Sequence, residues 1–488
     1  MWQKLQGSRH GGEIVSLFEK YELICGLETH IELLTKSKIF CSCATSFGDI
    51  PNTHVCPICL GHPGVLPRLN GKVLDFAIMA GIATNCEVEK TIGFDRKNYF
   101  YCDLPKGYQI TQNKFPICKG GYIELEKGKK IRINHIHIEE DAAKLTYKGQ
   151  DILIDYNRSG VPLIEVVSEP DLNDLLEIKE YLSKLQHLMR YIGVSDCKMQ
   201  EGSMRCDVNI SVRKVGEKEL NMKTEVKNVN SISHILKTVE YEFKRQAEML
   251  EKGEVVSKET RRYNELAKKT EVMRKKEEQR EYKYFKEPDI PLINISEEKV
   301  NSIRKLMPEM PQKKIAKFTN EYGLSALQAK TLIKYRKVAD CFEAVCDGVE
   351  NKKIVANFFI NEIFESLDTE AKKQDFLLPV KVESLNKLMK LLDSGKITVS
   401  FAKEIFETMV QNNESVNVSL DESKIESFDE GKIKEICMLA IKENQKAVDD
   451  YKSGKKNAIN ILIKDAMTKS NRAANGKLIL ETLKNLIK

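Results

Sequence analysis

Short runs of alternating apolar and polar residues dominate the chain from residue 21 to about residue 292. Successive side chains of a β-strand point to opposite faces, so this period-two alternation predicts strands that bury one face. The runs end in turns that contain Gly or Asn, which favours antiparallel pairing. The clearest runs are 21–25, 130–138, 151–155 and 207–213.

Three intervening stretches, 73–85, 175–192 and 231–250, have the longer apolar period of an amphipathic helix. Together the patterns predict an α+β domain around an antiparallel sheet, not a doubly wound parallel sheet. The highly charged segment 260–287 is typical either of a mobile basic segment over a site or of a solvated hairpin or helix.

Beyond Pro291 the alternation disappears and helix-length patterns take over. The last three apolar stripes predict a small three-helix bundle. Their members are Ile433, Ile436, Cys437 and Ala440; Ile459, Leu462, Ile463 and Ala466; and Ile479, Leu483 and Leu486. We therefore divide the chain into an N-terminal extension (1–18), a sheet domain (19–292), a helical domain (293–405) and a tail domain (406–488).

The periodic pattern begins near Leu17, so we expect the preceding residues to be disordered. Gly11, Gly12 and Glu13 are what a GGAGG ribosome-binding sequence would encode, which makes Val15 a candidate start. The mass of the natural N-terminus would test this hypothesis.

Charge and cysteine content narrow the class of protein. The net charge is 78 − 72 = +6, whereas residues 451–488 alone carry nine basic and two acidic residues, or +7. By itself this basic tail is more typical of an ordinary solvated helical surface, but any surface for an anionic partner would include it. No apolar run is long enough to span a membrane and none resembles a signal peptide. With thirteen cysteines, these features predict a cytoplasmic protein with reduced or metal-bound thiols.

Cysteine spacing gives the clearest metal signal. Cys41 and Cys43 form one close pair, and Cys56 and Cys59 form another after twelve intervening residues. Two such pairs on two turns can present four thiolates to a tetrahedral Zn²⁺. Because all four positions are thiolates, the predicted site is structural; four buried free cysteines are the alternative.

Carboxylates recur in or beside the predicted strands, in stretches too apolar for a solvated surface. They are Glu28 beside His30, the run Glu139–Asp141, Glu165 and Glu225. On one sheet they could form an oxygen-rich Mg²⁺ site. Cationic residues that suit a polyphosphate are interleaved with them: Arg158, Lys198, Arg205, Lys223 and Lys227. The chain has no P-loop, dinucleotide-binding glycine motif or hydrolase nucleophile motif, which predicts a nucleotide bound on a sheet through metals.

These segments together resemble the B subunits of the bacterial aspartyl/glutamyl-tRNA amidotransferase family. The resemblance extends over nearly the whole chain from Tyr21. Its motifs are Gly26-Leu-Glu-Thr-His30, the four cysteines, Gly64-Val-Leu-Pro67, Asp95-Arg-Lys-Asn-Tyr-Phe-Tyr101, Glu139-Glu-Asp141, Ile164-Glu-Val-Val-Ser-Glu-Pro-Asp171, Glu201-Gly-Ser-Met-Arg-Cys-Asp207 and Lys223-Thr-Glu-Val-Lys-Asn-Val-Asn-Ser231.

The resemblance implies a cradle domain with a glutamine-synthetase-like sheet, a helical domain and a tail that grips tRNA. It also implies a carbon–nitrogen ligase with glutamine as amido donor. ATP would phosphorylate the side-chain carboxylate of Glu on tRNA(Gln) or Asp on tRNA(Asn), and ammonia would displace the phosphate. A glutaminase partner, the A subunit, would release that ammonia from glutamine, and a small C subunit would brace the heterotrimer.

The resemblance also implies roles for individual residues. The Mg²⁺ ligands would be Glu28, His30, Glu140, Glu165 and Glu225, with Glu140 also catalytic. Further catalytic residues, which face ATP or the acyl phosphate, would be Lys198, Arg205, Lys223 and Lys227, with Arg158 in the nucleotide site. Lys97, Lys106, Glu139 and Asp207 would line a polar route for ammonia.

Several residues depart from the usual wording of the family: Arg68, Cys102, Ala143, Gln200 and Lys286. Ala143 stands where Gly is usual, which matters if the backbone there needs a positive φ. The departures keep open a non-catalytic, zinc-stapled tRNA-binding relative. The archaeal E-type relative, by contrast, needs an insertion for which the chain has no space. The sequence leaves open which of the two tRNAs is used.

Overall fold

The computed structural model describes residues 17–275, 282–365, 367–411, 430–470 and 476–487. It has two compact units, of which one extends to Pro308 and the other begins at Glu309. Most of the predicted N-terminal extension, residues 1–16, lies outside the described residues. Phe18 does not, and its ring stacks on Phe243 with centroids 3.7 Å apart.

The strands of the first unit are β1 (Tyr21–Glu32), β2 (Glu87–Val88), β3 (Thr91–Ile92), β4 (Asp95–Asn98), β5 (Tyr108–Thr111), β6 (Cys118–Lys119), β7 (Tyr122–Glu124), β8 (Lys130–Glu140), β9 (Lys144–Lys148), β10 (Asp151–Asp155), β11 (Pro162–Ser168), β12 (Met204–Lys214), β13 (Thr224–Val229), β14 (Glu259–Asn264), β15 (Lys269–Lys275), β16 (Phe285–Lys286) and β17 (Ile293–Asn294). Its helices are α1 (Gly71–Ala83), α2 (Leu175–Tyr191), α3 (Ile232–Glu251) and α4 (Glu297–Leu306).

A large mixed sheet forms the centre of this unit, with strand order β15-β14-β13-β12-β1-β11-β8-β6-β2 and β7 added beside β8. The four predicted strands and three predicted helices are present, so the α+β class is confirmed. The prediction of a wholly antiparallel sheet is wrong at one pair, since β13 and β14 run parallel. The twenty-residue helix α3 connects them, and a helical crossover returns the chain in the same direction.

Alternation along the central strands separates the two faces of the sheet. On β1 the side chains of Leu23, Cys25 and Leu27 are buried, and those of Glu28 and His30 alternate with this series. Helix α3 packs against β12 on the apolar face, and Phe243 is among its buried residues. The helices therefore cover one face of the sheet and leave the polar residues on the other.

The charged segment 260–287 contains the antiparallel hairpin formed by β14 and β15. This confirms the hairpin alternative for the part that the structure describes, because residues 276–281 lie outside it. Below this hairpin, the buried carboxylate of Glu242 on α3 pairs with Arg261 of β14 at 3.1 Å and with Arg245 at 2.8 Å. The pair with Arg261 anchors β14 to the helix on the covered face.

The second unit is helical. Its elements are α5 (Pro311–Asn320), α6 (Ala326–Ile333), α7 (Arg336–Val345), α8 (Lys352–Phe358) continued by a π-helix (Phe359–Ile363), α9 (Glu370–Gln374), α10 (Val382–Asp393), α11 (Val399–Gln411), α12 (Glu430–Glu443), α13 (Gln445–Lys452), a 3-10 turn (Lys456–Ala458), α14 (Ile459–Lys469) and α15 (Gly476–Ile487). None of the helices in the described ranges combines the length and apolarity needed to cross a bilayer.

The predicted apolar stripes form the core of the C-terminal bundle. Ile433, Leu462 and Leu483, one from each stripe, are almost fully buried in one cluster. The short helix α13 adds Ala447 and Val448 to this core, so the bundle has a fourth element beyond the three predicted. The stripes are therefore confirmed as packing faces.

Candidate functional site

Strand register places a row of ionisable residues across the polar face of the sheet. His30 on β1 lies opposite Glu165 on β11, which in turn lies opposite His137 on β8. On the other side of β1, Glu28 lies opposite Asp207 of β12. Residues far apart in sequence therefore meet because neighbouring strands lie only about 4.8 Å apart.

The first group at this face consists of His30, Glu139, Glu165 and His137. His30 Nε2 lies 3.1 Å from Glu165 Oε2 and 3.5 Å from Glu139 Oε1. His137 Nε2 faces the same carboxylates at 3.4 and 3.6 Å. Burial lowers the pKa of His30, but the charges of Glu165 and Glu139 more than offset it and raise that pKa to about 9. Against the effect of burial, the two imidazoles hold the pKa of Glu165 below its usual range.

The second group consists of Glu28, Asp207 and Glu225, with Lys227 among them. Lys227 Nζ lies 3.0 Å from Asp207 Oδ2 and 2.7 Å from Glu225 Oε1, so its ammonium group bridges the two carboxylates. Asn209 donates a hydrogen bond of 2.9 Å to Glu28. Burial and the nearby charge of Glu165 raise the pKa of Glu28.

Both groups have donor sets that fit a divalent cation. His30, Glu139 and Glu165 each offer a ligand atom within 4.8 Å of the other two, and Glu28, Asp207 and Glu225 do the same. Ligands bound to one Mg²⁺ at about 2.1 Å lie up to ~4.2 Å apart, so small side-chain rotations close either group around an ion. Carboxylate oxygens are suitable Mg²⁺ ligands, and Lys227 stands where positive charge is favoured.

A cavity of about 420 Å³ opens over both groups. Four lysines line it: Lys97, Lys223, Lys227 and Lys258. Tyr282 and Tyr284 form part of its wall, and the Lys97 ammonium group lies 5.0 Å from the Tyr282 ring centroid. The cavity is thus lined both by carboxylates that can bind cations and by ammonium groups. This combination suits a polyphosphate with bound cations.

Glu140, predicted as a metal ligand, is not brought to either group. Its Oε2 accepts a hydrogen bond of 2.6 Å from Lys106 Nζ, and its Oε1 accepts one of 2.8 Å from the Ile110 amide. Together Lys106 and Glu140 line a separate cavity of about 200 Å³ beside Cys41 and Cys59. Of the four residues predicted for an ammonia route, Lys106 is therefore in this second cavity, and Lys97 and Glu139 line the first. Asp207 pairs with Lys227, which lines the first cavity.

Three of the predicted nucleotide-binding cations lie elsewhere than the lining of the large cavity. Arg205 pairs with the buried Asp141, and Arg158 Nε lies 3.5 Å from the same carboxylate. Lys198 pairs with Glu201 at 3.1 Å. Of the predicted set, Lys223 and Lys227 line the cavity.

The departure at Ala143 does not require a glycine conformation. Ala143 is buried, and its backbone is not among those of the described residues that have a positive φ without being Gly. Its amide donates to Asp103 O at 2.9 Å, and its carbonyl accepts from Arg158 at 3.0 Å. The alanine methyl group is therefore accommodated by the fold.

The four predicted zinc cysteines converge at one point. The Sγ atoms of Cys41, Cys43, Cys56 and Cys59 all lie within 4.8 Å of one another, and those of Cys56 and Cys59 are 3.9 Å apart. Sulfur ligands at about 2.3 Å around a tetrahedral Zn²⁺ lie ~3.8 Å apart, so the cluster fits this ion. A hydrogen bond with Cys41 and the charge of Lys38 lower the pKa of Cys59 to about 4, against the effect of burial.

A buried lysine accompanies this cluster. Lys38 is 1% exposed, and its Nζ lies 3.7 Å from Cys59 Sγ and 3.1 Å from the Tyr156 carbonyl oxygen. Four thiolates around Zn²⁺ carry a net charge of −2, which a buried ammonium group partly neutralises.

We predict that Lys38→Met lowers zinc affinity by about 10- to 100-fold, as loss of outer-shell partners does at other metal sites. Competition with a chromophoric chelator measures this change. Lys36→Met is the matched control, because Lys36 is exposed two residues earlier. Equal affinities for the two variants would contradict the role of Lys38.

Comparison with known families decides what kind of protein carries these sites. The GatB/GatE catalytic domain matches residues 23–301, and the GatB domain matches residues 340–487. The chain belongs to the GatB family. The first match extends over the motifs named above and contains both acidic groups and all four cysteines.

Curated members of the GatB family are similar over nearly the whole chain. The B subunit of the aspartyl/glutamyl-tRNA(Asn/Gln) amidotransferase of Thermoanaerobacter pseudethanolicus is 48% identical over 470 residues, which cover 95% of this chain and 99% of the relative. Its counterpart in Carboxydothermus hydrogenoformans is 45% identical, with 96% and 98% covered. That of Clostridium kluyveri is 43% identical, with 94% and 98% covered. The resemblance stated from the motifs is therefore confirmed.

Sequence reasoning missed several residues of the GatB site, among them Tyr282 and Tyr284 in the cavity wall. His137 joins the first group, and its alternation with Glu139 on one strand was a usable signal. Lys258 and Glu259 line the cavity from the start of β14, which lies between β13 and the edge strand β15. No local pattern predicts them, because their position depends on the parallel pairing of β14 with β13.

Proposed function

We propose that this GatB chain phosphorylates the side-chain carboxylate of Glu on tRNA(Gln) or Asp on tRNA(Asn) and then exchanges the phosphate for ammonia. A carboxylate resists ammonia because oxide is a poor leaving group. Phosphorylation solves this in two displacements. A carboxylate oxygen attacks the γ-phosphorus and ADP leaves; ammonia then attacks the acyl carbon and phosphate leaves.

One observation carries this proposal: two divalent-cation donor sets lie side by side at a cavity that is lined by lysines. Phosphoryl transfer depends mainly on positioning and on neutralising charge, which this arrangement supplies. Two divalent cations, when bound, would neutralise the phosphate oxygens and orient the γ-phosphoryl group. His30, Glu139 and Glu165 would hold one cation, and Glu28, Asp207 and Glu225 the other.

The lysines have separate tasks in this scheme. Lys223 and Lys258 line both the large cavity and a second space of about 410 Å³ that adjoins it. Ile24, Pro170 and Met222 give this adjoining space apolar walls, which suits a nucleobase. We infer that ATP spans the junction, with its base between these walls and its phosphates at Lys223 and Lys258. Lys227 then moves from its two carboxylates toward the transferred phosphoryl group.

Residues outside the large cavity support the site. Arg158 and Arg205 hold Asp141 at the end of β8, which orients the strand that carries His137 and Glu139. The proposed ammonia route includes Lys106 in the smaller cavity, Lys97 and Glu139 in the larger one, and Asp207 beside Lys227. We add Glu140 to this route because it pairs with Lys106. The glutaminase partner would supply ammonia from glutamine, and the small C partner would stabilise the assembly.

The decisive experiment is transamidation by this chain co-expressed with its A and C partners. Glu-tRNA(Gln) and Asp-tRNA(Asn) would be supplied separately with glutamine, ATP and Mg²⁺. We expect amidated product with at least one of them, together with ATP hydrolysis that requires the charged tRNA. A stable complex with neither activity would overturn the proposal and favour a non-catalytic tRNA-binding protein.

The basic tail domain is proposed to contact tRNA phosphates. Lys455 and Lys456 are exposed at the 3-10 turn of the C-terminal bundle. We predict that the double substitution Lys455→Ala with Lys456→Ala weakens tRNA binding. The plot of the logarithm of the association constant against the logarithm of the salt concentration should become less steep, by about 0.7–0.9 for each phosphate that the variant no longer neutralises.

The control for this tail prediction changes two exposed lysines of the helical region, with Lys381→Ala and Lys387→Ala together. Filter binding at several salt concentrations gives both slopes. The same slope for the two double variants would place the tRNA contacts elsewhere.

A further inference from the structure

The backbone of the cysteine cluster lies directly against the lysine of the smaller cavity. Gly61 has a φ of +68°, and a Cβ atom built on it would lie 2.5 Å from Lys106 Cγ and 3.0 Å from Lys106 Cα. Contacts this short require displacement of one of the two residues. Only glycine therefore allows the backbone at position 61 to contact Lys106 this closely.

Gly61 is held in place by the turn that carries two of the cysteines. The Leu60 amide donates to Cys56 O at 3.1 Å, the Gly61 amide to Ile58 O at 3.1 Å and the His62 amide to Pro57 O at 2.9 Å. Gly61 follows Cys59 by only two residues. A metal that fixes Cys56 and Cys59 therefore also fixes Gly61.

On its other sides, Lys106 is held by the sheet domain. Its ammonium group donates to Glu140 at 2.6 Å and lies 5.8 and 5.5 Å from the ring centroids of Phe40 and Tyr108. The side chains of Lys106 and Glu140 are 10% and 4% exposed. A buried ion pair keeps one arrangement only while its walls stay in place.

We propose that the cysteine cluster positions the Lys106–Glu140 pair through Gly61, so that metal occupancy sets the shape of the smaller cavity. This gives the metal a role beyond local stability. In so far as Lys106 and Glu140 lie on the ammonia route, which rests on the proposed function, loss of the metal also impairs the delivery of ammonia. Gly61 is a positioning residue in this scheme and does not contact a substrate.

The test compares Gly61→Ala with Gly48→Ala. Gly48 lies in the same cysteine loop with a φ of +86°, and a Cβ atom on it meets nothing within 4 Å. Both variants therefore impose backbone strain, but only Gly61→Ala crowds Lys106. Zinc content is measured for each protein, and an amine-reactive reagent followed by mass spectrometry measures the accessibility of Lys106.

We expect both variants to retain zinc and only Gly61→Ala to increase labelling of Lys106 several-fold. Stripping zinc from the unchanged protein with a chelator should increase the same labelling, and restoring zinc should reverse it. If Gly61→Ala does not fold, the comparison of Lys106 labelling with and without zinc in the unchanged protein still tests the proposal. Lys106 protected equally with and without zinc would overturn the proposal.

Activity of the assembled heterotrimer provides a second measurement. Gly61→Ala should lower glutamine-driven amidation more than amidation driven by added ammonium, while ATP hydrolysis dependent on charged tRNA persists. If Gly61→Ala exposes Lys106 but leaves glutamine-driven amidation unchanged, the position of Lys106 does not affect the delivery of ammonia. Absence of tRNA-dependent ATP hydrolysis in the unchanged heterotrimer contradicts the proposed function instead, and the labelling result stands independently of it.

Discussion

Glu165→Gln is expected to lower the rate of ATP-dependent transamidation by about 10²- to 10³-fold, the usual effect of removing one charged group from a preorganised electrostatic site. Of the two carboxylates that both imidazoles of the first group face, Glu165 is the nearer, at 3.1 Å from His30 and 3.4 Å from His137. The substitution keeps the side-chain shape but removes one negative charge. The donor set of His30, Glu139 and Glu165 then holds a divalent cation more weakly.

Two measurements separate this effect from a loss of folding. Urea unfolding should show a loss of stability of only about 1–3 kcal/mol, because the imidazoles lose a charged hydrogen-bond acceptor but the isosteric amide retains the packing. The Mg²⁺ concentration needed for half-maximal rate should rise at the same time. A uniform loss of activity without any change in Mg²⁺ dependence would contradict the assignment of Glu165 to a metal-binding group.

Glu169→Gln is the matched control for this prediction. Glu169 is four residues further along the chain, beyond the end of β11, and its carboxylate accepts a hydrogen bond of 2.6 Å from Asn134 in an exposed position. Removing its charge should change the rate little, since it is not part of either donor set. Equal losses in the two variants would indicate a general charge effect and not a specific site.

Cys59→Ser is expected to abolish stoichiometric zinc binding and to destabilise the cysteine loop by at least ~3 kcal/mol, since the free energy of binding at a structural zinc site is also folding free energy. Cys59 is the buried member of the cluster and lies against Lys38. A serine hydroxyl group is a poor Zn²⁺ ligand, and three thiolates leave the tetrahedral site incomplete.

Elemental analysis gives the zinc content, and hydrogen exchange over residues 37–67 gives the local stability. Cys102→Ser is the control, because Cys102 is an exposed thiol outside the cluster. We expect the control to retain its zinc and its protection from exchange. Stoichiometric zinc in Cys59→Ser, or its absence from the unchanged protein, would show that the four thiols do not form a zinc site.

Several features could be predicted from the sequence alone. Period-two alternation identified β8, β10 and β12 to within three residues of their ends and the first five residues of β1, because burial of one face imposes that pattern. Helical periodicity identified α1, α2 and α3 in the same way. The paired spacing of the cysteines predicted that all four thiols meet, since each pair needs only one tight turn, and they do meet in the structure. These signals are local, which is why they can be read along the chain.

The membership of the acidic groups was decided by tertiary structure. Glu139 and Glu140 are adjacent, so strand alternation directs them to different surroundings and only one can join His30. Glu165 lies opposite both His30 and His137 in the sheet, and Glu139 is on the same face of β8 as His137, so Glu139 joins this group. Glu140 instead pairs with Lys106 in the smaller cavity. Likewise, Lys258 reaches the large cavity because α3 returns the chain to β14, which pairs in parallel with β13.

The sequence by itself therefore determined which segments are strands and helices, which residues lie on the polar face and which thiols can meet. The tertiary structure alone decided which carboxylates share a group, which lysines line the cavity and which wall holds Lys106. The physical reason is strand register, which is fixed by packing between residues far apart in the chain and which relocates every side chain of a strand when it shifts by one residue.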